Sequence, residues 1–320
     1  MKAIGFRQYG GADVLEELTI SVPDIKPDRV RVKVTAAAIN PGDALFRSGA
    51  LKNFLRLKLP FVPGLDIAGT VDQVGSKVTR FQVGDKVYGM LPNMTMGGYG
   101  QYAVIDAAAL APIPSQMSFI HAAAIPCAAL TALQALRDLA HVTPGCKVLI
   151  NGASGGVGSF AVQIARVLGA DVTAVTSTRN LEFVSSLGAN TVIDYSTHDP
   201  AGTVSRYDVV FDAVGVKSFA QWKTVLKPGG IMVTVNFGYG NPLALLRAKF
   251  DPQRRKLKSL LVKPRGSDLE RLGQWYEEDK LRVMVEKTFP FQKAAEAHQQ
   301  IETKRTRGKL VLIIDQDEAS

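Results

Sequence analysis

Cysteine is nearly absent: Cys127 and Cys146 are the only two in 320 residues. Two thiols exclude a disulfide framework and a four-cysteine structural zinc site, and they suit a reducing compartment. Also missing is any run of the roughly 18 apolar residues that a membrane-spanning helix needs. The opening MKAIGFRQYGG has neither the apolar core nor the small-residue cleavage site of a secretory signal, so a cytoplasmic location is expected. No repeat of solenoid period and no long low-complexity tract interrupts the chain. What is present is a globular composition, with 46% hydrophobic residues, enough for the cores of one large or two ordinary domains. The formal charge of +9 is compatible with an anionic cofactor, RNA, an anionic membrane surface or simple solubility, and does not choose among them.

The most informative stretch is NGASGGVG, residues 151–158. Glycines alone serve a tight turn as well as a phosphate seat, so the flanks decide. CKVLI (146–150) before them is an aliphatic, β-branched run suited to a buried parallel strand. Val157, Phe160, Ala161, Ile164, Ala165 and Leu168 follow at helical spacing, Gly169 is a stop signal, and DVTAVT (171–176) reads as a second strand. The unit is βαβ with glycines at its first turn, where a helix N-terminus offers free N–H groups to a pyrophosphate. Ser154, Gly155, Gly156 and Val157 are the expected cradle.

Where NAD-binding units place an acid on the ribose, this chain has TSTRN (176–180), with Ser177 and Arg179. A guanidinium there pairs with a 2′-phosphate, so NADPH is expected over NADH; a solvated arginine at a helix start is the alternative. Tyr195, after a third strand, is placed to cover the adenosine side. YDVVFDAVG supplies a fourth strand, KPGG (227–230) a turn, IMVTV a fifth strand, and KSLLVK (258–263) a sixth. Ligands bind at the carboxyl ends of such strands, which nominates Ala213, Val214 and the segment from Asn236 and Phe237 to Tyr239. The expected fold is α/β, a Rossmann doubly wound parallel sheet.

The first 120 residues are built differently. VRVKVTAAAIN, DIAGTVDQVG, GDKVYGM and GQYAVID read as short strands separated by Gly, Pro and Asp turns, a β-rich, partly barrel-like domain. After KPRGSD, a helix near Leu269 to Glu278, the segment LRVMVEKTFP, a helix near Lys293 to Thr303 and the strand KLVLII return to that first domain. PLALLRAKFDPQRRKLKSLLVKPRG (242–266) is rich in Lys and Arg, and a lid, a dimer surface, a basic patch and a solvated connection all remain open for it.

In order and spacing, AAAINPGDALFRSG, LPFVPGLDIAGTVDQVG, FQVGDKVYGM, GGYGQYAV, AAAIPCAALTALQAL, NGASGGVGSFAVQIAR and RGKLVLI resemble the medium-chain dehydrogenase/reductase superfamily, in its zinc-free quinone oxidoreductase, zeta-crystallin-like branch. The resemblance spans nearly the whole chain. It implies a β-rich GroES-like substrate domain over 1–121 and 266–320, a Rossmann domain over 122–265 with the cofactor in the cleft between them, and a homodimer through edge strands. Thr131 resembles the threonine that approaches the nicotinamide, and Lys309 the basic residue of the family's closing Gly-Lys pair. Zinc-dependent members carry Gly-His-Glu where Gly64, Leu65 and Asp66 stand, and a cysteine where INPGDAL offers Asn40 and Pro41. Cys127 occupies a third ligand position, but one thiol is not a catalytic zinc site, and 84–111 has no cysteine cluster; no metal is expected.

Without a Lewis acid, alcohol oxidation loses its means of acidifying the substrate, whereas reduction of an electron-poor quinone or enone survives. The site then has to hold the acceptor and donate hydrogen bonds to a developing oxyanion. Asn40 and Asp43, in the family's Asn-Pro-x-Asp/Glu position, are the catalytic candidates; a helix cap opening GDALFRSG is the alternative for Asp43. Relatives often place tyrosines near DALFRSGALK, whereas this chain has Leu45, Phe46 and Leu51, which leaves Tyr239 as a substitute proton donor. The expected activity is NADPH-dependent reduction of quinones or reactive α,β-unsaturated carbonyls. Alternatives are an enoyl-thioester reductase and a non-catalytic NADPH-binding, RNA-binding or interaction protein.

Overall fold

The computed structural model describes residues 1–53, 56–92, 96–204, 206–235 and 248–317. The chain forms two compact units: Met1–Leu130, Pro264–Asp279 and Val283–Ser320 make the first, and Thr131–Lys263 with Lys280–Arg282 the second.

The first unit opens with an antiparallel pair, β1 (Lys2–Gly5) and β2 (Glu16–Thr19). Then come β3 (Arg29–Ile39), α1 (Pro41–Ser48), β4 (Asp66–Val74), β5 (Lys86–Met90), β6 (Tyr102–Asp106), β7 (Leu110–Pro112) and α2 (Phe119–Ala124). In β3, Val30, Val32 and Val34 turn inward while Arg31 and Lys33 turn outward; from Thr35 onward every residue is buried. That change from alternation to a continuous buried run marks where the sheet becomes covered on both faces. The alanines of α2 permit the cover, for Ala122, Ala123 and Ala124 are fully buried and the helix lies against β3 and β4. These contacts carry the unit through Leu130, past the expected boundary at residue 121.

The second unit begins inside α3 (Pro126–Leu133) and continues with β8 (Lys147–Asn151), α4 (Gly156–Val167), β9 (Asp171–Thr176), α5 (Leu181–Ser186), β10 (Thr191–Asp194), β11 (Tyr207–Asp212), α6 (Phe219–Trp222), β12 (Leu226–Thr234) and β13 (Lys256–Ser259). The six strands pair in parallel in the order β10-β9-β8-β11-β12-β13, which is the 3-2-1-4-5-6 order of dinucleotide-binding folds. Two details differ from expectation. KPGG is not a separate turn but an irregularity within β12, with Gly229 at φ 76°. The sixth strand lies at Lys256–Ser259, ahead of most of KSLLVK, because Leu257 is the side chain that reaches the buried core and its strand registers Lys256 with Ile231 through Ser259 with Thr234.

Four returning elements complete the first unit: α7 (Gly266–Glu277), β14 (Val285–Pro290), α8 (Ala294–Glu302) and β15 (Lys309–Ile313). Tyr88 of β5 donates its hydroxyl to the Leu269 carbonyl at 2.6 Å, anchoring α7. The seven-stranded sheet runs β14-β15-β3-β4-β5-β7, with β6 pairing on β3. No helix among the described residues is long and apolar enough to cross a membrane.

Candidate functional site

Two groups of residues carry chemistry, one in each unit. In the second unit, the turn from β8 into α4 holds the glycines. Gly155 is the N-cap of α4, and the N–H groups of Gly156, Val157 and Gly158 in the first turn have no acceptor inside the helix. Gly155 is open: a Cβ there would meet only the Gly152 carbonyl oxygen, at 3.5 Å. Gly158 is closed, since a Cβ would stand 2.0 Å from that same oxygen. One glycine therefore leaves the backbone accessible to a ligand and another lets helix and loop touch, and a pyrophosphate suits this donor set.

The turn lies at the switch point of the sheet, where β8 neighbours both β9 and β11. Across it, the buried Asp212 carboxylate accepts four hydrogen bonds: Asn151 Nδ2 at 2.8 Å, the backbone N–H groups of Val214 and Gly215 at 3.0 Å each, and Trp222 Nε1 at 3.2 Å. Asp212 thus fixes the Ala213–Gly215 loop against the glycine loop. Composition gave no sign of this, since an aspartate at a strand end is commonplace.

Beyond β9, Ser177 is half-buried and Arg179 exposed in the turn Thr178–Asn180; Tyr195, 58% exposed, follows β10. Asp194 was not anticipated here. Its carboxylate accepts the Thr178 hydroxyl at 2.6 Å and the Ser196 N–H at 2.9 Å, and these bonds hold it below the usual carboxylate range. Thr131 is buried in α3. Asn236, Phe237 and Tyr239 lie outside the described residues, as does the start of the basic stretch, 242–247.

In the first unit, α1, β4, β15, α8 and the segment before β6 bring together a buried polar cluster. Asn40, Asp43, Arg47, Asp66, Tyr99, His298 and Lys309 are all 5% exposed or less. Asp43 closes a capping box at the start of α1, accepting the Asn40 backbone N–H at 2.8 Å. Its helix-cap role is therefore realised. The Asn40 amide is oriented without ambiguity: Lys309 Nζ, only a donor, contacts Oδ1 at 2.5 Å, and Nδ2 donates to Asp66 Oδ2 at 3.0 Å. Lys309 Nζ also lies 3.4 Å from Asp66 Oδ2 and from the Ile39 carbonyl. Sequence reading gave this lysine to the cofactor; the structure engages its ammonium inside the cluster.

Asp66 Oδ1 accepts the Cys127 backbone N–H at 2.8 Å, so Cys127 joins the cluster through its backbone. Burial pushes the Asp66 carboxyl up, opposed chiefly by the Lys309 charge. Burial likewise lifts Asp43 to about 7, against the Asn40 hydrogen bond and with the Asp66 charge. On its other side, Asp43 Oδ2 lies 3.1 Å from the Tyr99 hydroxyl, which is 3.2 Å from His298 Nε2. Burial, with the nearby Arg47 charge, lowers His298 to about 3, and burial raises Tyr99 well above 10. Arg47 pairs with Glu302 at the end of α8. Tyr99, His298, Arg47 and Asp66 went unnoticed as site residues because their partners lie far apart in sequence. Among the described residues, no group of three or more His, Cys, Asp or Glu is placed to hold a metal ion.

The sequence matches the alcohol dehydrogenase GroES-like domain family over residues 26–115 and the zinc-binding dehydrogenase family over 187–312. It is 34% identical to a chloroplastic quinone-oxidoreductase homolog of Spinacia oleracea, covering 98% of both chains. It is 38% identical to the chloroplastic NADPH-dependent alkenal/one oxidoreductase of Arabidopsis thaliana, over 98% of this chain and 79% of that one. The solved structure of the quinone oxidoreductase from Coxiella burnetii superposes with a TM-score of 0.91 at 34% identity, covering 98% of this chain and 99% of that one.

Proposed function

Because the chain belongs to the medium-chain dehydrogenase/reductase superfamily, in its zinc-free quinone oxidoreductase branch, we propose that it is an NADPH-dependent reductase of quinones and reactive α,β-unsaturated carbonyls. The observation that carries the chemistry is Asn40 held between Lys309 and Asp66. The ammonium on Oδ1 draws electron density from the amide and makes its N–H groups stronger donors. One N–H is taken by Asp66; the other is the donor Asn40 offers to an acceptor oxygen that becomes anionic. A cation on a fixed amide thus supports an oxyanion donor where zinc relatives hold a metal.

A bound nicotinamide supplies the hydride. The chain's own part is to seat the pyrophosphate on the first-turn N–H groups of α4 with Ser154, and to hold the Ala213–Gly215 loop in place through Asp212. Thr131 completes the proposed cofactor residues. The test is direct: protein, NADPH and a panel of quinones, enones and enoyl thioesters are mixed, and nicotinamide absorbance is followed. Turnover with quinones or enones is expected. Cofactor binding without oxidation across the panel would favour a binding protein, and steeply salt-dependent RNA affinity would strengthen that outcome.

For the 2′-phosphate, Arg179 is the attracting charge and Asp194, tied to Thr178, the opposing one. Arg179→Ala is expected to weaken NADPH binding about tenfold or more while leaving NADH nearly unchanged, as for loss of one charge-assisted contact. Equal loss for both coenzymes in a titration would remove Arg179 from this role. The proposal includes a homodimer through β13, an edge strand of the parallel sheet whose outer side no described strand covers. It also includes a cytoplasmic location, which fits a chain whose two cysteines, Cys127 and Cys146, form no disulfide, although the two plant relatives are named as chloroplastic.

A further inference from the structure

We propose that His298 and Tyr99 relay a proton to Asp43, so that the charge of the wall behind Asn40 is set by one proton that enters at His298 Nδ1. The geometry is a continuous chain: Asp43 Oδ2 to the Tyr99 hydroxyl at 3.1 Å, and that hydroxyl to His298 Nε2 at 3.2 Å. A hydroxyl with one proton between a carboxyl and an imidazole has two consistent arrangements. In the first, Asp43 is ionised, Tyr99 donates to it, and His298 Nε2–H donates to the tyrosine oxygen. In the second, Asp43 is protonated and donates to the tyrosine oxygen, Tyr99 donates to Nε2, and the imidazole proton sits on Nδ1.

Passing from the first to the second takes up one proton from solvent. It bonds to Nδ1, the Nε2 proton moves to the tyrosine oxygen, and the tyrosine proton moves to Asp43. Neither Tyr99 nor His298 carries a charge at either end. Among the described residues, His298 Nδ1 and Asp43 Oδ1 are both buried without a hydrogen-bond partner, so the chain ends in an unengaged atom on each side, and Nδ1 is the end carried by α8. Proton exchange follows local opening at the end of α8, where the Glu302 side chain is 41% exposed.

The groups facing the chain fix its direction. Asp66 of β4 repels a charge on Asp43, whereas Lys309 of β15 attracts it. Burial, helped by the charge of Arg47 of α1, which pairs with Glu302 of α8, keeps His298 from becoming a cation. The proton therefore rests on the carboxyl, and Asp43 titrates near 7 while His298 stays neutral. The use of the relay rests on the reductase reading: with the proton on Asp43, the cluster holds one fewer negative charge when the acceptor oxygen becomes an anion. His298 and Tyr99 are positioning residues, acting through Asp43.

The test uses nitrogen NMR of the imidazoles in the unliganded protein, with His298 assigned among the four histidines by His298→Gln. His298 is expected as the Nε2–H tautomer at pH 9 and the Nδ1–H tautomer at pH 5, with one midpoint near 7 shared by the Asp43 carboxyl carbon. Both Tyr99→Phe and Asp43→Asn should lock it in one tautomer over that range. A single tautomer throughout in the wild type, an imidazolium signal, or a transition that survives either substitution overturns the relay. If Tyr99→Phe does not fold, the isosteric Asp43→Asn variant decides alone. No coenzyme is involved, so a failed reductase assay leaves these spectra as informative as before, and failed spectra leave the reductase reading intact.

Discussion

Lys309→Met is expected to lower stability by about 3–5 kcal/mol at pH 8, as for removal of one partner from a buried ion pair. It should also abolish turnover. The Lys309 side chain is 4% exposed and its ammonium contacts Asp66, which is fully buried and, among the described residues, otherwise accepts from the Asn40 amide and the Cys127 N–H. Methionine has a similar length and no charge, so the loss is electrostatic rather than steric. Asp66 then becomes a buried carboxylate without a counter-ion, and its simplest response is to bind a proton.

That response fixes the pH dependence. A carboxyl whose pKa is higher in the folded than in the unfolded protein favours folding in full below its unfolded pKa, and that contribution is lost as pH rises from there through the folded pKa. Burial already raises Asp66, and removing Lys309 raises it further, so the deficit of the variant should be smaller at pH 5 than at pH 8. Urea unfolding at the two pH values measures this. Adding Asp66→Asn to the lysine variant should restore most of the stability, because a neutral amide needs no counter-ion, but none of the turnover. A deficit under about 1 kcal/mol, or one indifferent to pH, would mean that the cluster does not depend on the Lys309 charge.

What could be read from the sequence follows the range over which each signal acts. The glycine turn, α4 and β9 form one local unit, and the periodicity of Phe160, Ala161, Ile164 and Ala165 gives its buried face directly. Strands β3 to β6 were likewise visible, because Gly, Pro and Asp turns separate them and the first half of β3 alternates polar with apolar residues. The sixth strand was placed too late because KSLLVK has the more apolar composition, whereas pairing with β12 selects Lys256–Ser259. Composition cannot see a register.

The cluster was hardest to foresee. Asn40 and Asp43 stood out through their place after a strand and before a helix. Their partners come from residue 66, residue 99 and residues 298–309, and nothing local marks them. His298 sits in AAEAHQQIE as a single histidine on a helix, and Lys309 begins an apolar strand as many solvated lysines do. Only the antiparallel pairing of β15 with β3, which registers Leu310 with Ile39, carries Lys309 to Asn40. A charge that looks solvated in one dimension becomes the counter-ion of a buried carboxylate in three.

The same pairing of distant groups makes Asp43 and His298 opposite in their effect on stability, and separating them should produce a large pH response. Asp43 titrates near 7 in the fold, against 3.8 for the free side chain, so the folded state holds the extra proton between those values and stability falls as pH rises. His298 titrates near 3, against 6.5, so the unfolded state holds the extra proton and stability rises with pH over nearly the same window. With both present the two slopes cancel between about pH 4 and 6.5. Asp43→Asn leaves the histidine slope alone: relative to wild type, its stability should climb by about 1.4 kcal/mol per pH unit, close to 3 kcal/mol over the window. His298→Gln leaves the aspartate slope alone and should decline at a similar rate. Asp66 is retained in all three proteins and drops out of the differences. Urea unfolding at pH 4.5, 5.5 and 6.5 resolves slopes of this size, and parallel profiles for the two variants would show that neither group is held away from its ordinary ionisation by the fold.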